Sequence, residues 1–294
     1  MNAALSAPSN RWFILYRGPL SSCNYACGYC PFAKTKNTRA ELDYDAACLS
    51  RFTDWVATRS EQIGILFTPW GEAMHHLHYQ EAMRRLSHLP NVWRVAAQTN
   101  LSFAPDKLQD CHRDSTALWT TYHPTETTIP RFIAKSLSLS EIGIRHSVGV
   151  VGRKEAFEDI RSLRAKLPPE IYLWINAWKR EVDYYNHEEM AELRDIDPYF
   201  DFNAHPHPSL GLACRSGHLA FTVDGQGDMR RCHFIKDIIS NIYEPGFENA
   251  LRPRTCSISQ CRCHIGYVHL NHLKMDTIFG ESLLERIPTK WEMP

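Results

Sequence analysis

The sequence predicts an α/β protein: a partial (β/α)6 barrel followed by a small C-terminal α+β unit. Two patterns predict it. Six short apolar runs recur at intervals of roughly 20–35 residues with helical patterns between them, as successive parallel βα units require. After Pro198–Pro208 that rhythm lapses, and a hairpin with a glycine-rich turn follows. The barrel is expected over residues 10–200, the second unit over 205–270, and a helical tail over 271–294.

The elements follow in order. Trp12–Tyr16 reads as the first strand and a cysteine loop leaves it directly. Asp43 precedes a helical pattern in which Ala46, Ala47, Leu49, Phe52, Trp55 and Val56 recur at three- and four-residue spacing. Gly64–Phe67 is the second strand, ending in Thr68-Pro69-Trp70-Gly71-Glu72, and His78–Leu86 is helical. Val92–Gln98, Ala117–Tyr122 and Ile144–Val151 are the next three strands, Glu155–Leu167 a helix, and Ile171–Ala177 the sixth strand. Leu219–Val223 and Met229–Cys232 flank Asp224-Gly225-Gln226-Gly227 as the later hairpin. Parallel strands of this kind place ligand sites at their C-terminal ends. The unusual features all fall there: the cysteine loop, Gly71-Glu72, Thr99-Asn100, His123-Pro124 and Gly152.

Composition narrows the function. The chain has 294 residues, enough to bury a core without disulfides, and its 33 Lys+Arg balance 33 Asp+Glu. Zero net charge gives no global basic field, which argues against nucleic acid or an anionic membrane as partner. The short basic group Lys34, Lys36 and Arg39 reads as a solvated face. No apolar run approaches the ~18 residues of a membrane span. Met1–Arg17 lacks the basic start, apolar stretch and cleavage site of a signal peptide, so a cytoplasmic protein is expected. In a reducing compartment, ten cysteines point to metal or redox chemistry rather than disulfides.

Cys23-Asn24-Tyr25-Ala26-Cys27-Gly28-Tyr29-Cys30 has the spacing C-x3-C-x2-C. Three thiolates on one short loop can each hold one iron of a 4Fe–4S cluster; thiolates suit zinc equally, so ligand type alone leaves both open. With three cysteines, one iron keeps no protein ligand and is free to chelate an amine and a carboxylate. This loop, just after the first strand and with Tyr29 before its last cysteine, resembles the signature of the radical S-adenosylmethionine (radical SAM) enzymes. The resemblance implies that the open iron binds the methionine part of SAM and that Tyr29 lies by the adenine. Trp70-Gly71-Glu72-Ala73 resembles the Gly-Gly-Glu-Pro segment of that family. Gly71 and Glu72 match; Trp70 and Ala73 depart, although a backbone carbonyl can bind the methionine ammonium whatever the side chain. Thr99-Asn100 resembles the family's Thr-Asn-Gly segment. Val150 and Gly152 resemble its fifth-strand positions near the adenine, and Asn176 on the sixth strand can face the adenosine. Tyr122, His123, His146 and Trp174 are the candidates for lining the barrel mouth, with a helix cap or rigid turn the equal alternative for His123.

Later in the chain, Cys214–Gly227–Cys232 and Cys256-x4-Cys261-x-Cys263 resemble the SPASM and Twitch auxiliary-cluster domains appended to such enzymes. Five cysteines are too few for the longer form's two clusters, so one auxiliary 4Fe–4S cluster is implied. Cys214 and Cys232 are its firmest ligands, with two of Cys256, Cys261 and Cys263. A zinc site including His233 or His264 is the alternative. The resemblance implies reductive cleavage of SAM to a 5′-deoxyadenosyl radical that abstracts hydrogen from a substrate carbon. The auxiliary cluster suits oxidative maturation of a peptide or small molecule, with flavodoxin or ferredoxin as reductase. A non-oxidative rearrangement, or an iron–sulfur sensor or electron carrier, is the alternative.

Overall fold

Strands covered on both faces must be apolar on both, and the six runs that open the chain are. The computed structural model describes residues 11–32 and 35–291. Lys34, residues 1–10 of the N-terminal reading and residues 292–294 of the expected tail lie outside the described residues. The runs form β1 (Arg11–Arg17), β2 (Gln62–Phe67), β3 (Val92–Thr99), β4 (Thr116–Tyr122), β5 (Arg145–Gly152) and β6 (Leu173–Ala177), neighbour to neighbour and all parallel. The partial parallel barrel expected from the sequence is the architecture found. Between and after the strands lie α1 (Arg39–Ala57), α2 (Leu77–Ser87), α3 (Ile129–Glu141), α4 (Phe157–Lys166), α5 (His187–Ile196) and α6 (Phe200–Ala204).

The first helix starts earlier than Asp43. Thr38 caps it, its Oγ1 accepting from the Glu41 N–H at 3.3 Å while Glu41 Oε2 accepts from the Thr38 N–H at 2.7 Å. That is a capping box, legible in Thr38-x-x-Glu41. Asp43 therefore sits one turn inside, paired with Arg39 at 2.9 Å.

The C-terminal third does not stand apart from the barrel. After β7 (His207–Pro208) and β8 (Ala213–Cys214), β9 (Ala220–Asp224) pairs parallel with β1, Ile14 opposite Phe221. β10 (Asp228–Arg230) and β11 (Ile238–Asn241) continue antiparallel, giving one sheet of nine strands in the order β11-β10-β9-β1-β2-β3-β4-β5-β6. β12 (Arg254–Thr255) pairs with β8 and β13 (Gln260–Cys261) with β7.

Strand alternation divides the core into two layers. Ile14, Tyr16, Ile65, Phe67, Leu118, Tyr122, Val148 and Val150 face the helices. Leu66, Ala96, Trp119, Tyr172 and Trp174 face inward, and what covers them is the chain after β13: α7 (His264–Tyr267), α8 (Asp276–Phe279) and the buried Leu283 and Leu284. The expected helical tail is thus a series of single turns packed into the concave side of the sheet. Two polar ties hold it there. Arg94 Nε on β3 meets Glu285 Oε1 at 3.0 Å with both side chains buried, and Ser147 Oγ on β5 donates to the Glu285 carbonyl at 2.7 Å.

Buried histidines give this fold an acid limit. Burial holds the His146 imidazole down at about 4 and that of His269, also beside Arg215, at about 3. In the unfolded chain both protonate near their ordinary value of about 6.5. Between those limits the unfolded chain holds more protons, so stability is present above pH ~6.5 and falls as the pH drops, by about 1.4 kcal/mol per pH unit for each histidine. Thermal melts at a series of pH values below ~6.5 should therefore show a falling midpoint, with a shallower fall in His146→Gln. An identical slope in the variant would remove His146 from this account.

Candidate functional site

A cavity of about 500 Å3 opens at the C-terminal ends of the strands. Its first wall is the loop after β1. Asn37 Oδ1 accepts from the backbone N–H groups of Ser21 and Ser22, each at 2.8 Å, and holds the loop's start. The segment after β2 clamps it from the other side: Gly71 N–H donates to the Leu20 carbonyl at 3.2 Å and Glu72 N–H to the Ser22 carbonyl at 3.1 Å. A side chain at Gly71 would collide with the Ser22 carbonyl oxygen, which is why this position takes glycine.

Cys23, Cys27 and Cys30 all line the cavity. Cys23 Sγ accepts from the Tyr25 N–H at 3.3 Å and from Asn100 Nδ2 at 3.7 Å; Cys30 Sγ accepts from the Phe32 N–H at 3.4 Å. Cys27 Sγ lies 3.4 Å from His123 Nδ1, and the Tyr29 hydroxyl lies 2.9 Å from the same nitrogen. Burial pushes the Cys27 thiol up to about 11, with Glu126 adding to it, and burial pushes the Cys23 thiol up as well. Such thiols lose their protons on binding metal. The three thiols lie on one loop at one cavity, and in a cubane cluster each thiolate takes a different iron, so this donor set fits such a cluster.

Glu72 is buried beside the loop. Its carboxylate accepts from Thr99 Oγ1 at 2.6 Å, Asn100 N–H at 2.7 Å and Met74 N–H at 3.2 Å, and burial still pushes it up to about 7. Thr99 and Asn100 are therefore placed by Glu72, which the sequence reading had assigned separately. Burial holds the His123 imidazole down at about 4, so it is neutral at pH 7.

Of the residues singled out from the sequence, Cys23, Cys27, Tyr29, Cys30, Trp70, Gly71, Glu72, Thr99, Asn100, His123, Trp174, Asn176 and Cys263 line this cavity. Four do not. Val150 and Tyr122 point to the helix side, Tyr122 stacking edge-on against Phe132 at 5.4 Å. Their neighbours Val151 and Thr121 line the cavity instead. Runs that are apolar on both faces carry no phase, so the sequence did not reveal which neighbour turns inward. His146 is a structural tie, its Nε2 2.7 Å from Ser136 Oγ on α3. Gly152 lies under the Tyr185 hydroxyl, which its carbonyl accepts from. Sequence reasoning missed Arg17, Trp119, Lys179, Arg180 and Arg286, which also line the cavity. Only the inward phase of β4 and β6 relative to the tail would have pointed to Trp119 and Arg286.

The later cysteines gather beside the cavity. The β8–β12 ladder sets Cys214 opposite Arg254, the β13–β7 ladder sets Cys261 opposite His207, and a single bridge joins Leu210 to Cys256. Burial, and then the nearby thiols of Cys232, Cys263, Cys214 and Cys256, push the Cys261 thiol up. Cys232 is pushed up to about 11 by burial, with Cys214 and Cys256 adding. Cys263 differs from the other four in facing the cavity.

No protein-family model matches the chain, and no curated protein matches it. Solved structures do. Native anSMEcpe with bound AdoMet and the Cp18Cys peptide aligns over 82% of this chain and 82% of that one, with 13% identity and a TM-score of 0.52. The same protein with the Kp18Cys peptide aligns over 81% and 82%, with 12% identity and a TM-score of 0.52. BtrN in complex with AdoMet and 2-DOIA aligns over 82% and 87% with 16% identity, but its TM-score of 0.41 is too low to bear on the fold. The chain and anSMEcpe share a fold.

Proposed function

We propose that the chain is a radical SAM enzyme with one auxiliary 4Fe–4S cluster, acting in the oxidative maturation of a peptide or small molecule. The observation that carries the reading is Cys23, Cys27 and Cys30 on one loop, clamped by the Gly71-Glu72 backbone, at the mouth of a parallel barrel whose fold is shared with an AdoMet-bound protein. When bound, the first cluster supplies the electron that cleaves SAM to methionine and a 5′-deoxyadenosyl radical, which takes hydrogen from a substrate carbon.

The chain's own residues do the rest. The three thiolates hold the cluster, and the hydrogen bonds to Cys23 and Cys30 stabilise their negative charge. The Trp70-Gly71 backbone offers carbonyl groups to the methionine ammonium. Glu72 fixes Thr99 and Asn100 beside it. Tyr29, held by His123, flanks the adenine, with Asn176 toward the adenosine and Val151, the cavity-facing neighbour of Val150, beside it. A cavity lined by aromatic rings and closed below by the tail keeps stray hydrogen donors from the radical. Cys214, Cys232, Cys256 and Cys261 hold the auxiliary cluster; four protein ligands suit electron transfer from a substrate radical, with a flavodoxin or ferredoxin supplying the first cluster. No helix among the described residues is long and apolar enough to cross a membrane. A peptide substrate is favoured by the peptide held in anSMEcpe.

The test is anaerobic reconstitution, iron counting and assay of 5′-deoxyadenosine after dithionite and SAM are added. About eight irons per chain, with 5′-deoxyadenosine formed, is the expected result. About four irons with the same product would remove the auxiliary cluster and keep the enzyme. Zinc without cleavage would overturn the reading.

A further inference from the structure

The cavity lining includes buried donors without a hydrogen-bond partner among the described residues. Arg286, 2% exposed, comes from the tail and lays its guanidinium over the Trp174 ring at 4.4 Å. Trp119 meets Trp174 edge to face at 5.1 Å, and each is 3% exposed. Arg286 Nε, Trp119 Nε1 and Trp174 Nε1 are buried without a hydrogen-bond partner among the described residues, and all three residues line the cavity. These atoms can only donate. A buried donor left without an acceptor is costly, so a cluster of them marks the place of an acceptor-rich group.

The charge around them has the matching sign. Arg17, Lys179, Arg180, Arg262 and Arg286 line the cavity, and among the described residues Glu72 is the only carboxylate that does. The whole chain is neutral, so this excess is local. Tyr267, Tyr172, Asp197 and Cys263 act on Arg286 electrostatically, and Asp197 is the one carboxylate among these four. Glu72 is taken by Thr99, Asn100 and Met74. The carboxylate of Asp197, which acts on Arg286 from a distance, is taken by the Tyr172 hydroxyl at 2.6 Å and the N–H groups of Ile175 at 2.9 Å and Tyr199 at 3.0 Å. Lys179 is held toward the cavity by Asn203, donating to its carbonyl and to Oδ1 at 2.7 Å each. A water at the floor would accept from two donors and then need acceptors of its own. A carboxylate or phosphate has lone pairs enough to accept from several of these donors and balances the buried guanidinium charge.

We propose that Arg286, Trp119 and Trp174, with Lys179 alongside, form an anion subsite, and that the substrate carries a carboxylate or phosphate group held there. The inference rests on the radical SAM reading only in naming the anion's owner as the substrate. Anchoring the substrate at the floor positions its reacting carbon toward the cysteine loop at the mouth.

The test uses the anaerobically reconstituted full chain and radiolabelled inorganic phosphate in equilibrium dialysis at low ionic strength. Acetate competition distinguishes a carboxylate site from a phosphate one. Wild type should bind phosphate saturably, with SAM absent or present. Arg286→Gln should bind about tenfold more weakly or not at all, Arg286→Lys should recover part of the loss, and Trp119→Phe should weaken binding about threefold or more through one lost donor. Circular dichroism checks each fold; if Arg286→Gln does not fold, Trp119→Phe and Arg286→Lys decide. Unchanged binding in the folded variants overturns the proposal. So does displacement of phosphate by SAM, which would assign the site to the cofactor. The two readings fail separately: phosphate binding without 5′-deoxyadenosine formation defeats the enzyme reading alone, and the converse defeats the subsite alone.

Discussion

Cys27→Ala should abolish formation of 5′-deoxyadenosine and lower the iron content from about eight to about four per chain. Cys27 is the middle thiol of the loop, and it also faces His123, so its loss removes a ligand and a contact that orients the loop. Two thiolates are too few to hold a cubane at this loop. Cys232→Ala should give the reverse pattern: the iron of the second site falls away while SAM is still cleaved in the absence of substrate. Cys232 lies outside the cavity lining while Cys27 lies within it. The measurement is iron analysis and product assay on both variants in parallel. If both lose cleavage, the later cysteines support the first site directly and the assignment of two separate roles fails.

Glu285→Ala should destabilise the chain by about 3–5 kcal/mol, with a thermal midpoint roughly 10 °C lower. Glu285 and Arg94 are both buried, 0% and 4% exposed, and the ion pair spans the tail and β3. Removing the carboxylate leaves the guanidinium in a low dielectric without its counter-charge, its Nη1 still donating to the Asp114 carbonyl at 2.6 Å. Replacing both partners with leucine should cost much less, because the desolvation of two charges disappears with them. Glu281→Ala is the matched surface control. It breaks the exposed pair with Arg11 and should move stability by less than about 1 kcal/mol. Equal melting of Glu285→Ala and Glu281→Ala would show that the tail is not a structural part of the barrel. The same loss in Glu285→Ala should loosen the cavity floor, since Arg286 is the next residue.

Much of this was legible in the chain because it is local. The six strands follow from short apolar runs, and the cysteine loop from spacing inside eight residues. Gly71-Glu72 and Thr99-Asn100 stood out as strand-end features, although the carboxylate that ties Glu72 to Thr99 and Asn100 links residues 27 and 28 positions apart. The start of α1 is legible too, in the Thr38–Glu41 capping box, whereas Asp43 precedes the apolar periodicity that begins one turn inside the helix. Where the reading slipped, it slipped by a single residue along a strand. Val150 and Tyr122 were assigned to the cavity that Val151 and Thr121 line, and one residue along a strand is the opposite face.

The sequence by itself determined the strand count of the barrel, the place of the site at the strand ends, and the thiol chemistry of its rim. These depend on periodicity, turn chemistry and ligand type, all written within a few residues of one another. The tertiary structure decided the rest: that β9 joins β1 across some two hundred residues, that the tail fills the concave side of the sheet, and that Arg286 arrives over Trp174 to make the floor. Those outcomes come from burying one apolar surface against another. Burial is non-directional and has no preference for near neighbours in the chain, so its partners become visible only once the chain has packed.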